Sequence, residues 1–278
     1  MTPEITKTDA DASRPVPNYV WIALALLAVA TYFVGLNLPL LGPDEPRYAQ
    51  VAREMFDRGD WVTPTLGGFT WFEKPALLYW LEIAAYYVFG VGEFAARFGS
   101  ALFGLGTVAS LWKLGKTVSV PPAVAGGLSS NGFMPSMANS FSRYLALIAA
   151  STLGILVFSH GASFDINITF PMTAALVSFF IFDQRISKQI NVQPPATAVG
   201  ADLLTVSPRR RVAASLLLFY FFIGVALLAK GLIGIIFPFA IVAFYHVLSW
   251  KLPSKTFVAS LFWGSAIAVA VADRKSVV

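Results

Sequence analysis

Three long stretches without a charged side chain limit what this chain can fold into. Residues Tyr19–Leu41 hold 23 consecutive uncharged residues, Tyr144–Phe164 hold 21 and Gly231–Trp250 hold 20. About 20 apolar residues are enough for a helix to cross the hydrocarbon core of a bilayer. Charged residues make up 13% of the chain, about half of the fraction found in a soluble domain. The sequence therefore predicts an integral membrane protein built of helices.

Shorter apolar segments complete the predicted set of spans, which are Phe94–Trp112, Ile166–Phe182, Val212–Ala229 and Thr256–Ala272. With the three longer stretches they predict an all-α membrane protein, a helical bundle of about seven spans. The first apolar run is too long for a cleavable signal peptide, so it is predicted to be an anchor. Cysteine is absent, which excludes disulfides and thiolate metal sites.

The positions of the basic residues predict the orientation. If the N-terminus is cytoplasmic, 12 of the 20 Lys and Arg residues fall in segments on the cytoplasmic side, as the positive-inside rule requires. The rule also accounts for the net charge of +5, so no nucleic-acid partner is expected. We predict a bacterial inner (plasma) membrane protein whose loop at residues 42–92 lies on the periplasmic, extracytoplasmic face.

The predicted domain organisation follows from these spans. Residues 1–18 form a cytoplasmic tail, and residues 19–272 form a transmembrane domain. Two connectors are predicted to be flexible cytoplasmic loops. The segment Ser119–Ser142 is rich in Gly, Ser, Pro and Asn, and Asn191–Pro208 is polar with three prolines. Residues 273–278 resemble a translated sequencing adapter, which predicts a non-native tail and an N-terminal fragment that is inactive by itself.

The loop at residues 42–92 is predicted to contain two amphipathic helices that lie on the membrane surface. Pro46 suits the first position of a helix with Asp44 or Glu45 as its cap, and Gly59 is a natural end. One face of this helix is apolar, with residues at helical spacing: Tyr48, Val51, Ala52, Met55 and Phe56. A second helix, Ala76–Phe89, has Glu82 at its centre, and an interfacial position avoids the cost of burying that charge.

Charged residues from three regions are predicted to face one membrane surface: Asp44, Glu45, Arg47, Glu73, Lys74, Asp165 and Lys230. Charges at membrane depth usually mark a functional site. Cations can hold a phosphate, and a carboxylate can accept a proton or orient the attacking group. The combination favours a reaction between a phosphate-bearing lipid and a nucleophile. Each residue also has a purely structural alternative. Asp44 and Glu45 could serve as nothing more than a helix cap, Lys230 could extend towards lipid headgroups, and Asp165 could simply end a span.

Several motifs in order resemble one known family. They are Asp44-Glu45-Pro46-Arg47-Tyr48-Ala49, Gly59-Asp60-Trp61-Val62-Thr63-Pro64, Phe72-Glu73-Lys74-Pro75 and Glu93-Phe94-Ala95-Ala96-Arg97, with weaker matches at Phe164-Asp165 and Ala229-Lys230-Gly231. Together they resemble the bacterial aminoarabinose transferases of the protein O-mannosyltransferase-like superfamily, which have the GT-C fold. The chain departs from the family pattern in its long Ser119–Ser142 segment and in having Ile166-Asn167 after Asp165.

The resemblance implies a glycosyltransferase that moves a sugar from undecaprenyl phosphate to an acceptor. With one Asp in the reacting role and no second carboxylate assigned as nucleophile, we expect a single inverting displacement. The resemblance also implies that Asp44 is catalytic and that Lys74 and Lys230 bind the donor phosphate. Glu73 matches a residue at a metal site in some members, so a divalent metal ion is the one cofactor it raises. We predict that Glu45 and Asp165 are catalytic together with Asp44, and that Arg47 binds the donor phosphate together with the two lysines.

The acceptor stays open among a lipid A phosphate, another glycolipid and a protein hydroxyl. The alternative function is a transporter or lipid flippase, in which the same charges would line a permeation path. Transporters place their binding groups near the middle of the membrane, whereas these charges are predicted to collect at one surface. The sequence therefore favours the transferase.

Overall fold

The structure, a computed structural model, describes residues 16–118, 133–191 and 208–272. Within these ranges the chain forms ten helices and one short hairpin. In chain order they are α1 (Asn18–Phe33), α2 (Asp44–Arg58), β1 (Thr65–Leu66), β2 (Phe69–Thr70), α3 (Leu77–Phe89), α4 (Glu93–Thr117), α5 (Phe133–Ser151), α6 (Leu153–Ser159), α7 (Phe164–Asn191), α8 (Pro208–Lys230), α9 (Ile233–Leu248) and α10 (Lys255–Ala272). The predicted all-α membrane fold is confirmed.

Each of the seven predicted spans coincides with a helix or a helix pair. Among the described residues, four helical segments are long and apolar enough to cross a membrane: Glu93–Thr117, Phe164–Ser187, Val212–Lys230 and Lys255–Ala272. A fifth is the pair Ser140–Ser151 and Leu153–Ser159, which is bent by 57°. The helices α1 and α9 have 16 residues each, fewer than the ~20 that a span needs. The count of seven spans therefore stays a prediction.

The centre of the bundle is formed by α4, α7 and α8. Helix α7 packs along α8, α4 packs against both α5 and α7, and α10 covers another side of α8. The close approach of α4 to its neighbours depends on Gly104, where a Cβ atom would overlap Ser159 on α6 and Tyr32 on α1. Small residues serve this purpose in membrane bundles, because they let backbones approach closely enough for extensive van der Waals contact.

The loop at residues 42–92 folds into a compact layer on the starts of α4 and α7. Helices α2 and α3 pack against each other, and α3 also packs against α4. The predicted apolar face of α2 is confirmed, because Tyr48, Val51, Ala52 and Met55 are buried and Phe56 packs beside them. Gly59 ends the helix with φ +64°, as predicted.

The start of α2 differs from the prediction. The helix begins at Asp44 rather than at Pro46, Pro43 precedes it, and no side chain caps it by a hydrogen bond. Pro46 is tolerated in the first turn because no intrahelical acceptor is available there for a backbone N–H. A capping role for Asp44 is therefore not observed.

Two further expectations are corrected. Glu82 does not lie at an exposed interface: its side chain is fully buried, and neither carboxylate oxygen has a hydrogen-bond partner among the described residues. In the Ser119–Ser142 segment, residues 119–132 lie outside the described residues, but the chain is helical from Phe133. The composition of the segment predicted a loop, but a proline in the first turn of a helix, such as Pro135, does not interrupt the helix. Residues 192–207, most of the second connector, and the tail at 273–278 also lie outside the described part.

Candidate active site

A cavity of about 990 Å³ lies between the folded loop and the adjoining ends of α6, α7 and α8. Six of the seven predicted site residues line it: Asp44, Glu45, Glu73, Lys74, Asp165 and Lys230. The seventh, Arg47, contacts two of the lining carboxylates. Residues that are up to 186 positions apart in the sequence, from Asp44 to Lys230, therefore meet in one place. The volume is within the usual range for ligand-binding pockets.

Local structure explains why these side chains reach the cavity. Asp44 is in the first turn of α2 and Asp165 is in the first turn of α7, where a negative charge is favoured by the helix dipole. Lys230 is the last residue of α8, and the left-handed Gly231 (φ +64°) turns the chain immediately after it. Lys74 precedes Pro75, which disfavours helical backbone at Lys74 and keeps it outside α3.

The charges in the cavity form partly exposed ion pairs. Lys230 Nζ lies 2.5 Å from Asp165 Oδ1, and Lys74 Nζ lies 3.3 Å from Glu73 Oε1. Arg47 lies 3.4 Å from Asp44 and 4.0 Å from Glu73. The side chains in these pairs are 33% to 63% exposed. Exposed pairs contribute roughly 0–1 kcal/mol, so these cations can turn to an incoming phosphate at little cost.

A different and much less exposed pair joins Glu45 to Arg97. The guanidinium of Arg97 lies 2.7 Å from Glu45 Oε2, and the two side chains are 3% and 14% exposed, respectively. Arg97 also donates hydrogen bonds to the carbonyls of Leu36, Leu38 and Pro39. Its position in the first turns of α4 thus connects the end of the α1 segment with the start of α2.

Glu45 makes a second set of connections. It accepts hydrogen bonds from the backbone N–H groups of Leu41, at 2.7 Å, and Ala162, at 2.9 Å. Desolvation alone would raise the pKa of Glu45, but the hydrogen bonds from Arg97, Leu41 and Ala162 outweigh it and lower the pKa below its usual value. Glu45 is therefore an ionised group at the junction of the two chain segments that carry Asp44 and Asp165.

The partnership of Arg97 with Glu45 was not predicted from the sequence. In the sequence Arg97 is the one charged residue within the predicted span Phe94–Trp112 and the last residue of a motif. A signal was nevertheless present, because a lone arginine within a predicted span needs partners. The pairing itself could not be found from the sequence, since 52 residues separate the two.

In the part of the chain that the structure describes, the residues of the cavity do not form a metal site. Glu73 is flanked by the cations of Lys74 and Arg47, and no three His, Asp or Glu side chains come together in residues 16–118, 133–191 and 208–272. His160 lines the cavity, but its ring nitrogens face the backbone carbonyls of Leu156, Thr31 and Val34. The described residues therefore do not fit the divalent metal ion that the resemblance raised.

Comparison with known proteins supports the sequence motifs. Residues 20–126 match the family described as dolichyl-phosphate-mannose-protein mannosyltransferase. The undecaprenyl phosphate-alpha-4-amino-4-deoxy-L-arabinose arabinosyl transferase of Edwardsiella ictaluri is 37% identical over 172 residues, which is 60% of this chain and 27% of that protein. The same-named protein of Aeromonas salmonicida is 30% identical over 83% of this chain and 36% of that protein. The chain is thus similar in sequence to the aminoarabinose transferases.

Solved structures show that the relationship extends to the fold. ArnT from Cupriavidus metallidurans in the apo state matches 92% of this chain with a TM-score of 0.69 and 24% sequence identity. The crystal structure of the same protein bound to undecaprenyl phosphate matches with a TM-score of 0.62. In both comparisons the match covers 40% of the ArnT chain. The chain spans about a quarter to a third of the length of the curated relatives that it matches.

Proposed function

We propose that the cavity is the donor site of a glycosyltransferase that uses an undecaprenyl-phosphate-linked sugar. The observation that carries the proposal is the convergence of Lys74 and Lys230 with Asp44 in one cavity, with Arg47 paired to Asp44 beside it. The names of the relatives favour 4-amino-4-deoxy-L-arabinose as the sugar. The acceptor that fits this family is a lipid A-type glycolipid, and the site faces the extracytoplasmic side.

The proposed reaction is a single displacement at the anomeric carbon. An acceptor oxygen forms a bond to this carbon as the bond to the lipid phosphate breaks, so the configuration is inverted. Lys74 and Lys230, assisted by Arg47, stabilise the negative charge on the departing undecaprenyl phosphate. Asp44 takes the proton from the acceptor, or orients it when the acceptor is already ionised.

The other carboxylates have supporting roles in this proposal. Asp165 holds Lys230 in place through their ion pair, and Glu73 does the same for Lys74. Glu45, whose oxygens are already engaged by Arg97 and two backbone N–H groups, is a positioning residue. It fixes the chain on either side of the cavity without touching the reacting atoms.

The experiment that tests the proposal replaces Asp44 by Asn in the whole protein. Transfer from the undecaprenyl-phosphate-linked sugar to lipid A should fall by about 10²–10⁴-fold at every donor concentration, whereas donor-lipid binding should persist. Asp57→Asn is the matched control, because Asp57 lies on the same helix in an exposed pair with Arg53, 3.8 Å away and outside the cavity. Near-normal transfer by folded Asp44→Asn protein would contradict the catalytic role. Lipid transport without sugar transfer in the unaltered protein would favour the transporter alternative.

A further inference from the structure

A second cavity, of about 710 Å³, lies between α1, α4 and α5. Its walls are small and aliphatic side chains, among them Ala25 and Ala28 of α1, Ala109 of α4 and Ala146 of α5. Along α1 it extends from Asn18 to Val29, a distance of roughly 16 Å at 1.5 Å per residue. One leaflet of a hydrocarbon core is about 15 Å thick, so the groove matches the depth of a single leaflet.

Aromatic and cationic side chains mark one end of this groove. Trp21 and Trp112 line it there, as tryptophan commonly does at the level of lipid headgroups. Arg143, also a lining residue, lies 5.4 Å from the Trp21 ring and donates a hydrogen bond to Asn18 Oδ1 at 3.1 Å. The ammonium of Lys116 lies 3.6 Å from the centroid of the Trp112 ring.

The two cations have no acidic partner in the part of the chain that the structure describes. Within those residues, neither Arg143 nor Lys116 has a carboxylate within ion-pair distance, in contrast to the cations of the candidate active site. None of the residues lining the groove is acidic. The groove thus combines an apolar channel with a positively charged end.

This end is remote from the candidate active site. Arg97 and Lys116 are 19 residues apart on the continuous helix α4, which places them about 28 Å apart along the helix axis. That distance is close to the thickness of a bilayer core. The charged end of the groove therefore belongs to the opposite membrane face, which is the cytoplasmic one in the predicted orientation.

We propose that this groove binds one anionic phospholipid of the cytoplasmic leaflet, with an acyl chain between α1, α4 and α5 and the headgroup phosphate at Arg143 and Lys116. Basic pockets between transmembrane helices on this side of a membrane suit anionic headgroups. The aliphatic walls suit an acyl chain and not a polar ligand. The positive side chains at the open end complement the negative charge of the headgroup phosphate. The site is independent of the proposed transferase reaction.

The test measures lipid retention by the purified 278-residue chain with native mass spectrometry. Phosphatidylglycerol and phosphatidylcholine with identical acyl chains are the two probes. The unaltered chain should retain phosphatidylglycerol in preference. Arg143→Gln should weaken this retention about fivefold, the effect of removing one cation near an anionic headgroup. Lys255→Gln is the control, because Lys255 is exposed at the start of α10 and does not line the groove.

A second pair of variants tests the apolar part of the groove. Ala109→Phe fills the space and should reduce retention of both lipids, whereas Ala259→Phe, at an exposed alanine of α10, should not. All four variants are compared as monodisperse protein with unchanged helical circular dichroism. Equal retention of the two lipids by the unaltered chain would overturn the proposal. So would an effect of Lys255→Gln as large as that of Arg143→Gln, or unchanged retention by Ala109→Phe.

Discussion

At the scale of single residues, the candidate active site is a set of ion pairs that a phosphate can rearrange. Lys74 and Lys230 each have an acidic neighbour, at 3.3 and 2.5 Å, and both remain more than one-third exposed. A bound phosphate offers these ammonium groups stronger, charge-assisted hydrogen bonds. The roles of the two lysines and of Asp44 are therefore separable by experiment.

Removing Lys74 should weaken donor binding rather than the chemical step. A hydrogen bond to a charged group contributes about 1.5–3 kcal/mol, so Lys74→Ala should weaken undecaprenyl phosphate binding by roughly one to two decades. Transfer by the whole protein should recover in part at high donor concentration, which Asp44→Asn should not show. Arg53→Ala removes a cation from the same loop outside the cavity and serves as the control. If Lys74→Ala binds the donor normally, the lysine does not contact the phosphate.

At the scale of elements, the Glu45–Arg97 pair determines how the first loop sits on the bundle. It connects the chain after α1, the start of α2, the start of α4 and the segment before α7. Removing one partner of a buried ion pair strongly lowers the stability of the fold, because the other charge is left buried without compensation.

Arg97→Ala should therefore destabilise the folded loop by about 3–5 kcal/mol. The measurement is thermal unfolding in detergent, with limited proteolysis of residues 42–92 as a local readout. The double variant Glu45→Gln/Arg97→Met should be less unstable than the two single variants predict by addition, since no unpaired charge remains. Strict additivity would show that the two side chains are not coupled.

The hairpin β1–β2 depends on another carboxylate, that of Glu54. Glu54 accepts hydrogen bonds from the Thr65 hydroxyl at 2.7 Å and from the N–H groups of Gly67 and Gly68. Desolvation raises its pKa, but these bonds, with one from Gln50, outweigh that effect and lower the pKa to about 2. The hairpin is thus held to α2 by an ionised side chain.

The lowered pKa of Glu54 predicts how stability depends on pH. The unfolded group, with a pKa of 4.5, binds protons in a range where the folded group does not, so acid favours the unfolded state. The stabilisation is present above pH 4.5 and should be lost as the pH falls from 4.5 to about 2. The free energies of unfolding of the unaltered chain and of Glu54→Gln, measured across this pH range, should become equal at the acidic end. A constant difference between them would contradict the assignment.

At the scale of the whole molecule, the orientation decides which membrane face carries the candidate active site. The chain contains no cysteine, so single cysteines report on it directly. Thr70→Cys, in the exposed hairpin, should react with an impermeant thiol reagent in intact cells. Lys251→Cys, exposed after α9, should react only after the cells are opened. The reverse pattern would place both proposed sites on the opposite faces.

The sequence by itself determined the membrane class and the approximate positions of most helices, and it predicted six residues that line the candidate active site. Each of these depends on local chemistry, such as charge-free runs of about 20 residues, the apolar face of α2, and Gly59 where that helix ends. The motif Glu73-Lys74-Pro75 places two charged residues next to each other in the sequence, so their proximity does not depend on the fold.

Only the tertiary structure decided how these groups are paired and which charges are buried. Glu82 was expected at the membrane interface because burying a lone carboxylate is costly, yet its side chain on α3 is completely buried. In the sequence Arg97 only interrupts an apolar span, whereas in the fold it is paired with Glu45 and donates hydrogen bonds to three backbone carbonyls. The groove lined by Trp21, Trp112 and Arg143 joins three separate helices. Such contacts depend on the packing of residues that are distant in the sequence, and no local pattern records them.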